Sequence, residues 1–191
     1  GLLWMSAGAV LHRTGKSKCT QLGGLYQTMP WTAALGIIGG LACLSLPLTS
    51  GFTSKTIILK AVEYQHLFWP WVLLEIASAG VVFHAGIKFP YFVFFARNSR
   101  LRPKEAGKSM LIGMGILAFL CIYIGCFPQQ LYSLLPHSDV VAKTMSGSFF
   151  GIYIKHFDHV ITKMQMISLS VLAFFLCLPL LKRTNTISID I

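Results

Sequence analysis

The residues best suited to chemistry lie in Pro47-Leu-Thr-Ser-Gly-Phe-Thr-Ser-Lys55, inside an otherwise apolar run from Trp31 to Leu59. Pro47 and Gly51 interrupt the helix such a run would form, which leaves backbone N–H and C=O groups without their usual partners. Lipid cannot satisfy those groups, so broken backbone at that depth is buried in protein or lines a wet cavity. A lysine just past the break then reads as part of an ion or proton route, because an intramembrane ammonium is costly to keep. Thr49, Thr53 and Ser54, with Ser50, supply hydroxyls for a water file beside Lys55. The plainer alternative is a lysine whose stem snorkels to the membrane interface.

A second set of titratable residues, Glu75, His84 and Lys88, follows on the next apolar stretch. His84 and Lys88 are four apart and share a helix face, whereas Glu75 lies nearly opposite. Histidine titrates closest to neutrality, so the His84/Lys88 pair extends a relay from Lys55. Lys88 alternatively snorkels, and Glu75 alternatively pairs with a neighbouring subunit. Lys60, Glu63 and His12 read as interfacial. His137, His156 and His159 lack the tight spacing of a metal site. Cys19, Cys43, Cys121, Cys126 and Cys177 show no CxxC spacing and serve as apolar filler. No cofactor or metal site is expected.

The composition says what must position these groups. Only 12% of the 191 residues are charged and 54% are hydrophobic, about half the charge content of a soluble domain. The fold class is therefore all-α, a polytopic transmembrane bundle. The excess of 16 Lys+Arg over 6 Asp+Glu is a topology signal rather than a nucleic-acid surface, since it lies in short loops without interleaved aromatics. No basic n-region of a signal peptide precedes the first apolar run.

The pattern predicts the end of a helix over 1–11, a basic loop over 12–30 and one long broken crossing over 31–64. A turn over 65–70 follows, then a helix over 71–95 kinked at Pro90, a loop over 96–108 and a helix over 109–127. The chain divides into a transmembrane region (1–127), an amphipathic loop or interfacial segment (128–162), and a last spanning helix with a polar tail (163–191). Counted as one crossing, 31–64 leaves the loops 12–30 and 96–108 and the tail on one side. Those segments hold three, five and two Lys/Arg, ten of the sixteen. The positive-inside rule makes that side cytoplasmic.

The wording of several segments resembles a known family. The run Leu2-Leu3-Trp4-Met5-Ser6-Ala7-Gly8-Ala9-Val10-Leu11-His12-Arg13-Thr14-Gly15 is similar to a segment of the antiporter-type subunits of multisubunit (Mrp-type) Na+/H+ antiporters and respiratory complex I. Leu22-Gly23-Gly24-Leu25, Met29-Pro30 and Pro47 through Lys55 share the likeness. His12 to Gly15 and Ala85-Gly86-Ile87-Lys88-Phe89-Pro90-Tyr91-Phe92 look most like the D-type member of the Mrp set. The resemblance implies the second half of an inverted-repeat fold with one discontinuous helix, and it places Lys55 at the family's half-channel lysine. It also implies a C-terminal fragment, lacking an upstream His-Ala-x-x-Lys segment and the first repeat, that conducts nothing alone.

The function implied is a Na+/proton antiporter subunit in a bacterial inner membrane. Its partners would be other membrane subunits, the lipid bilayer, H+ and Na+. No flavin, iron–sulfur or nucleotide motif is present, so the chain is read as a transporter subunit rather than an enzyme. Two alternatives stay open: a proton-translocating subunit of an NADH-quinone oxidoreductase-like complex, and a structural remnant that only packs against partner helices.

Overall fold

A computed structural model describes residues 1–96, 101–128 and 157–183. Among them the chain is helical, with no β-strand. The elements are α1 (Leu2–Thr14), α2 (Pro30–Cys43), α3 (Ser50–Tyr64), α4 (Phe68–Val81), α5 (Lys108–Cys126) and α6 (Phe157–Arg183). Two 3-10 turns, Cys19–Gln21 and Leu25–Gln27, shape the loop before α2. The all-α membrane bundle expected from composition is what forms: Phe68–Phe95, Lys108–Cys126 and Val160–Pro179 are each long and apolar enough to cross a membrane.

The end of α1 and the start of α2 have identifiable causes. Gly15 closes α1 in the left-handed conformation at φ 65°, donating its N–H to Leu11 O. Pro30 opens α2 at a position where its missing N–H costs nothing. No side chain of the preceding residue caps α2. Glu105 does so from the opposite loop: its carboxylate accepts from Trp31 N (3.1 Å), Thr32 N (3.4 Å) and Thr32 Oγ1 (2.5 Å). A carboxylate at a helix N-terminus meets both the free N–H groups and the positive end of the helix dipole.

That contact also locates the loops. Arg102 Nη1 donates to Gln27 Oε1 at 2.6 Å, and the rings of Tyr26 and Phe95 stack 5.5 Å apart. The segments 15–29 and 101–107 therefore share one end of the bundle.

From that end α1 and α2 run antiparallel, their backbones drawn together where α2 has no side chains. Gly36 packs on Ser6, Gly39 on Leu3, and Gly40 on the Gly86 carbonyl of the next long helix. The buried core lies between these elements, with Val10, Leu22, Leu25, Val93 and Phe94 in one cluster and Ala9, Met29, Met114 and Ala118 in the other. Phe174 of α6 is fully buried against Phe83, Tyr91 and Phe92. Glu75 meets Lys163 and Phe83 meets Phe174, so α6 runs parallel to α4.

Four boundaries differ from the sequence expectation. The helix after Tyr64 begins at Phe68, because Pro70 fits within a first turn, so only 65–67 is left as the connection. Pro90 is accommodated by π turns on either side, Val82–Lys88 and Tyr91–Phe95, which re-register the hydrogen-bond ladder around the missing N–H. α1 extends to Thr14, whose hydroxyl bonds Val10 O. The last helix starts at Phe157 rather than Lys163, so Lys163 sits two turns inside it. Most of the segment read as interfacial, and with it His137 and His156, lies outside the described residues.

Candidate functional site

The crossing that starts at Pro30 is interrupted, and the interruption spans 44–49. Its first residues still fold on the end of α2: Leu44 N bonds Gly40 O (2.9 Å) and Leu46 N bonds Leu41 O (3.2 Å). Ser45 and Leu48 take left-handed φ values of 59° and 70°, which L-residues with a Cβ adopt at a cost. The break begins at Leu44, ahead of Pro47, and Gly51 is already helical. What glycine provides at 51 is clearance, since a Cβ there would run into the Ala42 carbonyl. Gly125 of α5 does the same against the Leu48 backbone, and Ser50 Oγ meets Cys121 Sγ at 3.2 Å.

Lys55, on the second turn of α3, reaches back across this gap. Its Nζ donates to Cys43 O at 3.0 Å, a carbonyl of the last turn of α2, and to Ser78 Oγ of α4 at 3.3 Å. A cation at a helix C-terminus faces both the unpaired carbonyls and the negative end of the dipole. The half-buried ammonium thus bridges the two halves of the broken crossing and a third helix. Within the break Ser45 Oγ is buried with no hydrogen-bond partner, a polar atom a water molecule would satisfy.

The other expected site residues divide into those near Lys55 and those apart from it. Thr49 and Thr53 are buried, and the Thr49 hydroxyl donates to Leu46 O (2.7 Å) within the break. Ser54 is exposed, and its hydroxyl bonds Ser50 O and Gly51 O of its own helix. Glu75 lies one turn before Ser78 on α4 and is bound by Lys163 Nζ at 2.5 and 2.7 Å to its two oxygens. His84 is exposed on the outer surface of the long helix. Lys88 is half-buried toward the loop end, where its charge pulls down on a Cys19 thiol that burial pushes up. His84 and Lys88 are therefore placed away from Lys55, and Glu75 close to it.

Two contributors were missed from sequence. Lys163, 3% exposed, lies inside the last spanning helix rather than at its start, and a charge within the 20-residue apolar stretch Val160–Pro179 is the signal available in the sequence. Ser78 carries no signal beyond its place one turn from Glu75. Among the described residues no group of His, Cys, Asp and Glu is arranged to hold a metal.

Residues 1–82, the segment that contains the break and Lys55, match the family described as NADH:quinone oxidoreductase/Mrp antiporter, TM. The chain is an antiporter-like membrane sequence. The A/B component of the probable K+/H+ antiporter of Rhizobium meliloti is 29% identical over 156 residues, 76% of this chain and 15% of that protein. The A1 component of the Na+/H+ antiporter of Staphylococcus haemolyticus is 33% identical over 144 residues, 69% of this chain and 18% of that one. A chain in the structure of the membrane-bound sulfane sulfur reductase, an archaeal respiratory membrane complex, superposes with TM-score 0.68 at 27% identity, covering 88% of this chain and 29% of that one.

This antiporter-like chain spans less than a fifth of the length of the curated relatives named here. Those relatives are A/B and A1 components; what they carry is the antiporter-type class, not the choice of the D-type member. The family and the three apolar helices make it a multi-pass membrane protein.

Proposed function

We propose that this chain is part of a monovalent cation/proton antiporter subunit, with Na+ as the cation and Lys55 as a relay residue of the proton path. The observation that supports this most is the Lys55 ammonium on the Cys43 carbonyl at the broken helix. A neutral amine there can take a proton from water in the gap, and the freed carbonyls of α2 hold the ammonium that results. Thr49, Thr53 and the unpartnered Ser45 hydroxyl give that water polar surface to lie against.

The proposed surroundings are a bacterial inner membrane, with the basic loops 12–30 and 96–108 facing the cytoplasm, and other membrane subunits as neighbours. The test is cation-driven proton flux in vesicles holding the full-length protein, with Na+ and K+ in separate arms. Na+-dependent flux that disappears in Lys55→Ala supports the reading. Flux driven by K+ alone rejects the cation assigned here, and flux untouched by Lys55→Ala rejects the relay.

A second reading rests on the respiratory complex whose chain superposes on this one. There the same path would serve a redox-driven proton pump, with the redox chemistry in partner subunits. Flux that requires a quinone reductant rather than a cation gradient would favour it.

A further inference from the structure

Lys55 and Lys163 approach α4 one turn apart. Lys55 donates to Ser78 Oγ, and Lys163 holds both oxygens of Glu75, three residues earlier on the same face. One carboxylate thus lies within electrostatic reach of two ammoniums from different helices, α3 and α6. The titratable groups in electrostatic reach of Lys55 are Glu75 on α4, Lys163 on α6 and the Cys43 thiol on α2; α5 adds the Cys121 thiol beside Ser50. The Glu75 side chain keeps 20% of its surface exposed, against 4% for Lys163. The carboxylate therefore has room to turn, and the lysine does not.

We propose that Glu75 and Lys163 form a counter-ion switch for Lys55, the carboxylate turning from the α6 ammonium toward the α3 ammonium when Lys55 takes up a proton. This rests on Lys55 being the relay. With Lys55 neutral, Glu75 pairs with Lys163 and no net charge faces the break. With Lys55 protonated, the carboxylate moves along α4 toward Ser78 and is shared between the two ammoniums. No bond is made or broken besides the one to the proton, which water in the gap delivers and later removes. Glu75 and Lys163 act through Lys55 and are positioning residues.

The switch predicts an order, because the pair sets how readily Lys55 holds its proton. Removing the carboxylate in Glu75→Gln leaves an uncompensated cation beside Lys55, and the flux profile moves to lower pH. Removing the ammonium in Lys163→Gln leaves an uncompensated carboxylate, and the profile moves to higher pH. Each displacement should be about one pH unit or more, the usual effect of a single nearby charge. The double variant Glu75→Gln/Lys163→Gln keeps the side-chain bulk and lacks the shared carboxylate, so its midpoint falls between Glu75→Gln and the parent. Lys163→Arg keeps the charge and the parent midpoint.

The experiment is the pH profile of proton flux for this set in the full-length protein in vesicles, beside Lys55→Ala. Opposite displacements of the two single variants support the switch. If a single variant does not assemble, the double variant decides, and a midpoint equal to the parent's overturns the proposal. Displacements in the same direction, or reduced flux with no displacement, mark a structural brace between α4 and α6 and overturn it while leaving the relay intact. Persistent flux in Lys55→Ala overturns the relay and the switch together.

Discussion

The two ends of α2 solve the same problem with opposite rigidity. At its N-terminus, Glu105 takes two backbone N–H groups and the Thr32 hydroxyl at once, with Pro30 fixing the first turn. At its C-terminus, the compensating charge is an ammonium at the end of a four-carbon stem, held by one carbonyl and one hydroxyl. The neighbouring Ser45 and Leu48 are in left-handed backbone, and Ser45 Oγ has no partner. With Ala106 N as well, the carboxylate has four donors and is over-determined. A lysine with two neutral acceptors can release and regain a proton while both acceptors stay in place, which is what the proposed relay asks of this end.

Closing the clearance at the break should produce the largest structural effect. Gly51→Ala pushes a methyl group into the Ala42 carbonyl across the gap. We expect destabilisation of about 1–3 kcal/mol, the usual range for overpacking, read as a lower melting temperature in detergent, together with loss of flux. A variant that melts and conducts like the parent would show that the two helix halves are free to separate, and the comparison of ends would fail.

A smaller effect is expected at the rigid end. Glu105→Gln keeps the shape and removes the charge, costing about 1–2 kcal/mol through a weaker cap. The melting temperature should fall while the pH profile of flux stays where it is. A displaced profile would mean that the two ends of α2 are coupled, so that the loop end also takes part in the proton path.

The smallest effect sharpens the placement of Lys88. Burial raises the Cys19 thiol while Lys88 opposes the rise, so at neutral pH the thiolate is scarcer than in a free cysteine. Site-resolved alkylation of Cys19 should reach half its maximal rate at a more alkaline pH than a free thiol, and Lys88→Met should move it higher still. An unchanged midpoint in Lys88→Met would take Lys88 away from the loop end and return it to the neighbourhood of the relay.

What could be read from sequence divides along the same line. The break and Lys55 were legible because their signals are local: a proline, a glycine and hydroxyls within nine positions of an apolar run. The common end expected for the loops 12–30 and 96–108 was legible from their charge, and Arg102 on Gln27 brings the described residues 101–107 to the loop before α2. The left-handed positions were not legible, since the chain spends them on Ser45 and Leu48 and uses Gly51 for close approach instead. Neither were the pairings of Glu105 with Thr32 and Lys163 with Glu75, which join residues 73 and 88 positions apart. Charges at such separations find each other only once packing has set the helices side by side. His84 illustrates the converse, for the spacing that made a plausible pair with Lys88 put the imidazole on the outer surface.

As the proposed relay Lys55 passes a proton, whereas a fixed charge there would only balance the end of a helix dipole. Lys55→Arg separates the two, because a guanidinium keeps the charge beside the Cys43 carbonyl and does not release its proton. The measurement is proton flux in vesicles holding the full-length protein with Lys55→Arg, compared with the parent and with Lys55→Ala. Both variants should lose flux, while Lys55→Arg alone retains the parent's melting temperature. Near-parental flux in Lys55→Arg would contradict the relay and leave Lys55 as a fixed charge at the break.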